Sequence, residues 1–269
     1  MYSSLLLERR DCVEWLTLNR PSRLNAIDTV TAQELTQYFR SAANREDVRV
    51  IVLKGSGRAF CAGVDLQAAA DLPPQQAWGS AGPAQEMRMQ QANRQYILEM
   101  RRCPQPIVAL LHGPACGAGF ALALAADIRI GARRARMNCA FVNIGLGGCD
   151  IGVSYLLPRL IGASIASDLI LTGRFIDAER AYSLGLLSEL VEESQLEATG
   201  ETLVQHLLRV SPLGLRLSKE TLRHSIDANS LEAAIAMEDR NQALCARTED
   251  YHEAVAAFRA KRAPAWQDR

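Results

Sequence analysis

The 269-residue chain has no net charge: thirty Lys and Arg balance thirty Asp and Glu. That excludes a strong whole-chain field for nucleic acid or an anionic membrane and leaves only local patches for such roles. It has no Cys-x-x-Cys pair. Its seven cysteines (Cys12, Cys61, Cys103, Cys116, Cys139, Cys149, Cys245) are an odd, scattered set. Neither a disulfide framework nor a metal site is expected, and reduced thiols in the cytoplasm are the plain reading. No repeat of solenoid period is visible. The opening MYSSLLLERRDC has too short an apolar run, and no basic stretch before it, to be a secretory signal. Only Ile107–Ile128 is long and apolar enough to raise the question of a membrane span. It carries His112, Pro114 and Asp127, with glycines at 113, 117 and 119. A buried strand, a glycine turn and a buried helix account for it better, so no membrane span is expected.

What is present is ordinary globular material. Hydrophobic residues make up 48% and charged residues 22%, enough for a sizeable core and against intrinsic disorder. Strand-like runs alternate with helical ones through the first two thirds. Strands are expected over Val13–Asn19, Val48–Lys54, Pro106–Leu111 and Asp127–Gly131, with another in the Met137–Val142 region. Helices are expected over Ile27–Ala43, with Asp28 as its cap, and over Gly117–Ala126, Ile165–Leu171 and Asp177–Leu184. That order argues for an α/β fold with largely parallel pairing. From about Leu203 the pattern is helical only, with segments around 213–226 and a long helix over 230–260. The division expected is an α/β core over 1–200 and a helical oligomerisation part over 201–269. The proline- and glycine-bearing stretch 71–85 reads as a mobile loop, a lid, a binding loop or a disordered segment.

Two glycine-bearing turns each follow a buried strand: Ala59-Phe60-Cys61-Ala62-Gly63-Val64-Asp65-Leu66 and His112-Gly113-Pro114-Ala115-Cys116-Gly117-Ala118-Gly119. Glycine allows a tight turn and the close approach of another group. A helix that starts after such a turn has first-turn N–H groups without intrahelical partners, and these favour negative charge. Two such turns side by side would aim two N–H donors at one oxygen, the makeup of an oxyanion hole. Strand–helix packing explains the same glycines without any chemistry, and spacing alone leaves both readings open. Neither turn matches G-x-G-x-x-G or the P-loop Gly-Lys-Ser/Thr.

Taken in order, the segments resemble the crotonase (enoyl-CoA hydratase/isomerase) superfamily along nearly the whole chain. The resemblance rests on Leu18-Asn19-Arg20-Pro21 with Leu24-Asn25-Ala26-Ile27, then Phe60–Leu66, then Pro106–Gly119 with Ala125–Ile130. It continues through Leu171-Thr172-Gly173-Arg174, Ala178-Glu179-Arg180-Ala181 and Gly185-Leu186-Leu187 to Ala257-Phe258, Lys261-Arg262 and Pro264. The resemblance implies a spiral of ββα turns with a helical C-terminal part. It implies trimers that often pair into hexamers, a coenzyme A thioester as substrate and no permanently bound cofactor. By matched position, the N–H groups of Val64 and Ala118 would hold the thioester oxygen. Arg23, Leu24, Ala26, Ala62, Asp65, Leu66, Phe258 and Lys261 would border the coenzyme, the last two often from a neighbouring subunit. Asp65 also reads as a plain helix cap, and Arg23 and Lys261 as surface charges.

One departure decides the chemistry. Family hydratases carry two glutamates that here are Ala121 and Phe141, neither able to move a proton. The remaining candidate is Asp150, in Gly147-Gly148-Cys149-Asp150-Ile151-Gly152, where the family's isomerases and dehalogenases place an aspartate. Apolar walls would raise its pKa and suit it to acid–base work. The alternative is that Asp150 caps the helix starting near Ser154 or only shapes a turn. Phe141, Ala121, Cys149 and Tyr155 are expected to shape the acyl pocket. Cys149 as nucleophile, Asn138 and Asn143 as orienting amides, and Glu86, which follows the 71–85 loop, swinging in are weaker readings. His112 reads as structural. One carboxylate suits double-bond isomerisation. Hydration by other acid–base groups, thioester hydrolysis and a catalytically silent acyl-CoA-binding or assembly paralogue are the alternatives.

Overall fold

The structure, a computed structural model, describes residues 2–71 and 82–268. Its strands are β1 (Leu5–Arg10), β2 (Val13–Leu18), β3 (Val50–Gly55), β4 (Ile107–Leu111), β5 (Ala115–Cys116), β6 (Ile128–Ala132), β7 (Arg136–Asn138), β8 (Ile176–Asp177) and β9 (Glu189–Val191). Its α-helices are α1 (Thr29–Ala42), α2 (Leu66–Ala70), α3 (Pro83–Asn93), α4 (Gln95–Arg102), α5 (Ala118–Ala125), α6 (Val153–Ile161), α7 (Ala163–Thr172), α8 (Ala178–Ser183), α9 (Leu196–Leu208), α10 (Pro212–Ser225), α11 (Leu231–Cys245) and α12 (Glu249–Arg259).

Residue alternation explains why the main sheet is covered on both faces. Its order is β1-β2-β3-β4-β6-β9, antiparallel at β1–β2 and parallel throughout the rest. Val13, Trp15, Val50, Val52, Val108 and Leu110 point to one face, where α9 covers them with Leu196 and Val204. Leu16, Leu18, Ile51, Leu53, Ala109 and Leu111 point to the other, where α1, α4 and α5 complete the larger core. Side chains alternate across a strand, so a sheet buried on both sides reads as a continuous apolar run.

A second, inner layer gives the chain its spiral. β2 leads through Ile27 to α1, and β3 through Cys61 and Val64 to α2. β4 leads through β5 to α5, and β6 through β7 to α6. The inner pieces pair with one another in parallel: Ile27 with Val64, Cys61 with Ala115, and β5 with β7. β8 then closes this layer on β7, antiparallel. This is the succession of ββα turns that the resemblance implies. The expected Asp28 cap is present, its carboxylate accepting from Thr31 N at 2.8 Å.

Several expectations need correction. The single helix over 230–260 is two helices. Thr248 stops α11 and starts α12: its hydroxyl accepts from Tyr251 N at 3.1 Å, and Glu249 and Asp250 complete an acidic first turn. The strand expected over Met137–Val142 ends at Asn138, and a short 3-10 helix, Ala140–Ile144, follows. β1 is absent from the expected strands because it is an edge strand whose apolar run is only Leu5-Leu6-Leu7, followed by Glu8-Arg9-Arg10, with Leu6 and Leu7 both exposed. Residue 200, the expected division between core and helical part, lies within α9, whose Leu196 and Val204 both pack on the sheet. The loop expected over 71–85 lies mostly on 72–81, outside the described residues, and Pro83–Gln85 open α3. Ile107–Ile128 resolves into β4, β5, α5 and the start of β6, and no helix among the described residues is long and apolar enough to cross a membrane.

Candidate active site

The first glycine turn is held from the chain's opening segment. Leu24 and Asn25 adopt left-handed backbone, with φ of 54° and 55°. This turns the Asn25 side chain inward, where its amide donates to the carbonyls of Ser56 at 2.7 Å and Ala59 at 2.9 Å. Its carbonyl accepts from Arg20 N at 2.9 Å. Ala62 N donates to Leu24 O at 3.0 Å. Ile27 then brackets Val64: Ile27 N donates to Gly63 O at 2.7 Å, and Asp65 N donates to Ile27 O at 3.0 Å. In extended chain, successive N–H groups point to opposite sides. The Val64 N–H therefore faces away from Ile27, and among the described residues nothing accepts it.

The second turn presses against the first. Cys116 N donates to Cys61 O and Gly117 N to Asn138 O, each at 2.9 Å. Gly117, at φ 49°, reverses the chain into α5, so Ala118 is the first helical residue and its N–H has no acceptor among the described residues. Gly63 sits at the contact with φ 98°. A Cβ there would stand 2.8 Å from the Cys116 carbonyl oxygen and 3.6 Å from Ala118 N. A Cβ on Gly119 would stand 2.3 Å from the Cys61 carbonyl oxygen. The glycines thus permit close packing of the two turns, and that packing leaves two neighbouring amides unpaired.

Val64 and Ala118 line one cavity of about 320 Å³, together with Ile27, Met89, Tyr96 and Asp150. Asp150 reaches it on a strained loop: Ile151 has φ 36° and Gly152 φ 97°. A β-branched residue in left-handed backbone is an outlier, and such strain collects at functional sites. The Asp150 carboxylate does not cap α6, whose start has no side-chain cap. Instead Oδ1 accepts from Ile151 N at 2.8 Å and from the Gln90 side-chain amide. Oδ2 has no partner among the described residues. Burial pushes the Asp150 carboxyl above its ordinary value, and the Ile151 and Gln90 hydrogen bonds pull it only part of the way back.

The other carboxylates lining the cavity are occupied. Asp65 caps α2 through Ala68 N at 3.0 Å and meets Arg20 at 2.9 Å. Burial pushes its carboxyl up, but these two contacts prevail and hold it below the usual range. Asp28 caps α1 and meets the same guanidinium at 2.9 Å. Arg23 lies close enough to Asp65 to act on its charge. Ala26 is buried beneath this rim and Leu66 is exposed on it.

Four residues expected in the acyl pocket do not line this cavity. Ala121 is fully buried inside α5, and Phe141 packs under Gly117. Cys149 is exposed. Tyr155 points from α6 toward α10, its hydroxyl on Asp227 and its ring under the Arg159 guanidinium at 3.6 Å. Phe258 and Lys261 stand at the end of α12, away from the cavity lining, with Phe258 85% exposed. His112 bonds the Gly57 carbonyl at 2.9 Å, and burial pushes its imidazole pKa down. Asn138 and Asn143 both donate to the Gly173 carbonyl. Among the described residues no group of His, Cys, Asp and Glu could hold a metal. The residues missed from sequence are Gln90, Asn93 and Tyr96. Gln90 and Asn93 sit three apart on one face of α3, the one signal available, and Tyr96 follows on α4.

Comparison with known proteins agrees with this architecture. A family model described as enoyl-CoA hydratase/isomerase matches residues 8–269. A probable enoyl-CoA hydratase of Mycobacterium tuberculosis strain H37Rv is 37% identical over 268 residues, covering 99% of this chain and 93% of that protein. The 1,2-epoxyphenylacetyl-CoA isomerase of Escherichia coli K12 is 36% identical over 252 residues, covering 93% and 92%. The crystal structure of an enoyl-CoA hydratase from Bacillus anthracis superposes with a TM-score of 0.91 at 28% identity, covering 99% of this chain and 100% of that one. The chain belongs to the enoyl-CoA hydratase/isomerase family, within the crotonase superfamily. It is an acyl-CoA enzyme of that hydratase/isomerase type.

Proposed function

We propose that the cavity takes the acyl end of a coenzyme A thioester, with the carbonyl oxygen between the N–H groups of Val64 and Ala118. Both amides gain strength as the thioester becomes an enolate, so they lower the barrier more than they tighten ground-state binding. Asp150 carries the proton. Its carboxylate takes a proton from Cα of a 3-enoyl thioester, the electron pair moves onto the thioester oxygen as a dienolate, and the same proton returns at Cγ. The double bond shifts from C3–C4 to C2–C3 and nothing is added or lost. The observation that carries this reading is the meeting of two unpaired amides and one carboxyl raised by burial at a single cavity. Asp28 and Asp65 are tied up in caps and in ion pairs with Arg20, and one free carboxylate suits isomerisation.

The reaction needs no resident cofactor, because coenzyme A arrives with the substrate. Arg23, Leu24, Ala62 and Leu66 would border the coenzyme, with Phe258 and Lys261 supplied by a neighbouring subunit of a trimer or hexamer. The exposed Phe258 ring supports that assignment. Cytoplasmic placement follows the unpaired cysteines.

Hydration is the second reading, favoured by relatives that include a 2,3-dehydroadipyl-CoA hydratase of Escherichia coli K12 at 32% identity over 267 residues. A panel of 2-enoyl-, 3-enoyl- and aryl-CoA thioesters followed by mass spectrometry separates the readings. Unchanged mass with shifted retention means isomerisation, a gain of water means hydration, and released coenzyme A means hydrolysis. No conversion of any thioester would contradict the proposal and leave a silent paralogue.

A further inference from the structure

Among the polar groups bordering the cavity, the Tyr96 hydroxyl has no role in holding the fold. Tyr96 lies on α4, is only 2% exposed, and belongs to the main core cluster. Among the described residues its hydroxyl neither donates nor accepts a hydrogen bond. Nor is it one of the polar atoms sealed from contact, which are Arg49 Nε and Asn138 Oδ1. Since the ring lines the cavity, the hydroxyl opens into it, beside Ala118 and Asp150. Burial pushes its pKa well above the ordinary phenol value, with the Cys61 thiol and the Asp150 carboxyl adding to the effect. It is therefore a neutral O–H donor at physiological pH.

A phenylalanine would fill the same apolar space. The hydroxyl costs burial energy unless something in the cavity accepts its proton. We infer that Tyr96 is a specificity-determining donor that selects acyl thioesters bearing an acceptor oxygen on the acyl chain over plain hydrocarbon chains. This rests on the reading that the cavity holds the acyl end of a thioester. A site built to hydrogen-bond a substrate oxygen rejects the analogue lacking it, because a buried donor is then left unmatched. Gln90 is already engaged with Asp150 and Asn93 is only half-buried, so Tyr96 is the fully buried donor on this wall.

The test is calorimetric binding of butyryl-CoA, methoxyacetyl-CoA and acetoacetyl-CoA to the full chain and to Tyr96→Phe. Methoxyacetyl-CoA is isosteric with butyryl-CoA and carries an ether oxygen in place of Cβ. The protein should bind at least one oxygenated thioester about tenfold or more tighter than butyryl-CoA, the size of one neutral hydrogen bond. Tyr96→Phe should erase that preference, bind butyryl-CoA at least as tightly as the parent does, and melt no lower than the parent. Equal binding of all three thioesters, or a preference that survives in Tyr96→Phe, would overturn the role of Tyr96 while leaving the thioester reading intact. Failure to bind any of the three thioesters would overturn both.

Discussion

The side-chain amide of Gln90 donates to Oδ1 of Asp150, joining α3 to the loop before α6. The bond spans 60 residues of sequence and fixes which carboxylate oxygen remains available. It also makes Gln90 a positioning residue, acting on the reaction through Asp150. Gln90→Leu removes a hydrogen bond that lowers the Asp150 pKa, so that pKa rises further. A base must be ionised to act, and the acidic limb of the pH profile of kcat/KM should move to higher pH. Full rescue by Gln90→Asn is not expected, since the shorter side chain falls back from the loop. A profile that stays in place in Gln90→Leu would remove Asp150 from the base role.

Asp150→Asn should abolish turnover without weakening the fold. The folded carboxyl has a raised pKa, so the folded chain binds more protons than the unfolded one between the ordinary Asp value and the raised value. Stability from this group is therefore greatest below the ordinary Asp value and falls as pH rises through that window. Asparagine removes the buried charge. At neutral pH the variant should melt at or above the parent temperature. A clearly lower Tm would mean that Asp150 is structural.

Ala118→Pro is a selective test of the second amide. Proline is tolerated at the first helical position, and only the N–H that faces the cavity is lost. The preceding Gly117 already departs from right-handed helical backbone, as a residue before proline must. Turnover should fall by about 10²–10³-fold, the usual effect of deleting one oxyanion donor. Far-ultraviolet circular dichroism and Tm should show the fold retained.

Gly119→Ala should act on stability. Its Cβ would lie 2.3 Å from the Cys61 carbonyl oxygen, a backbone atom that cannot step aside. Overpacking of this kind costs roughly 1–3 kcal/mol. Denaturant titration should show a lower midpoint with an unchanged m value.

The parts of the fold legible in the sequence are those set locally. Asp28 announces α1 because a cap and an apolar periodicity meet within four residues. The two glycine turns are visible because each follows an apolar run, and Asp150 stands out once Ala121 and Phe141 cannot move protons. What is not legible depends on distant chain. The edge strand β1 offers only the short run Leu5-Leu6-Leu7, because it pairs with β2 alone and residues 6–9 are exposed. The break at Thr248 is hidden by helical residues on both flanks. Tyr155 looks placed for the acyl pocket in sequence, yet α6 turns it toward Asp227. Gln90 and Tyr96 belong to the cavity only because α3 and α4 fold back over the two turns.

The most direct test of the central claim is Cα proton exchange in deuterated water, read by mass spectrometry on a saturated acyl-CoA thioester such as butyryl-CoA. The parent protein should incorporate deuterium at Cα, and both Ala118→Pro and Asp150→Asn should lose that exchange while remaining folded. Exchange at the parent rate in Ala118→Pro, or none in the parent with bound thioester, would contradict an enolate held by the amides of residues 64 and 118.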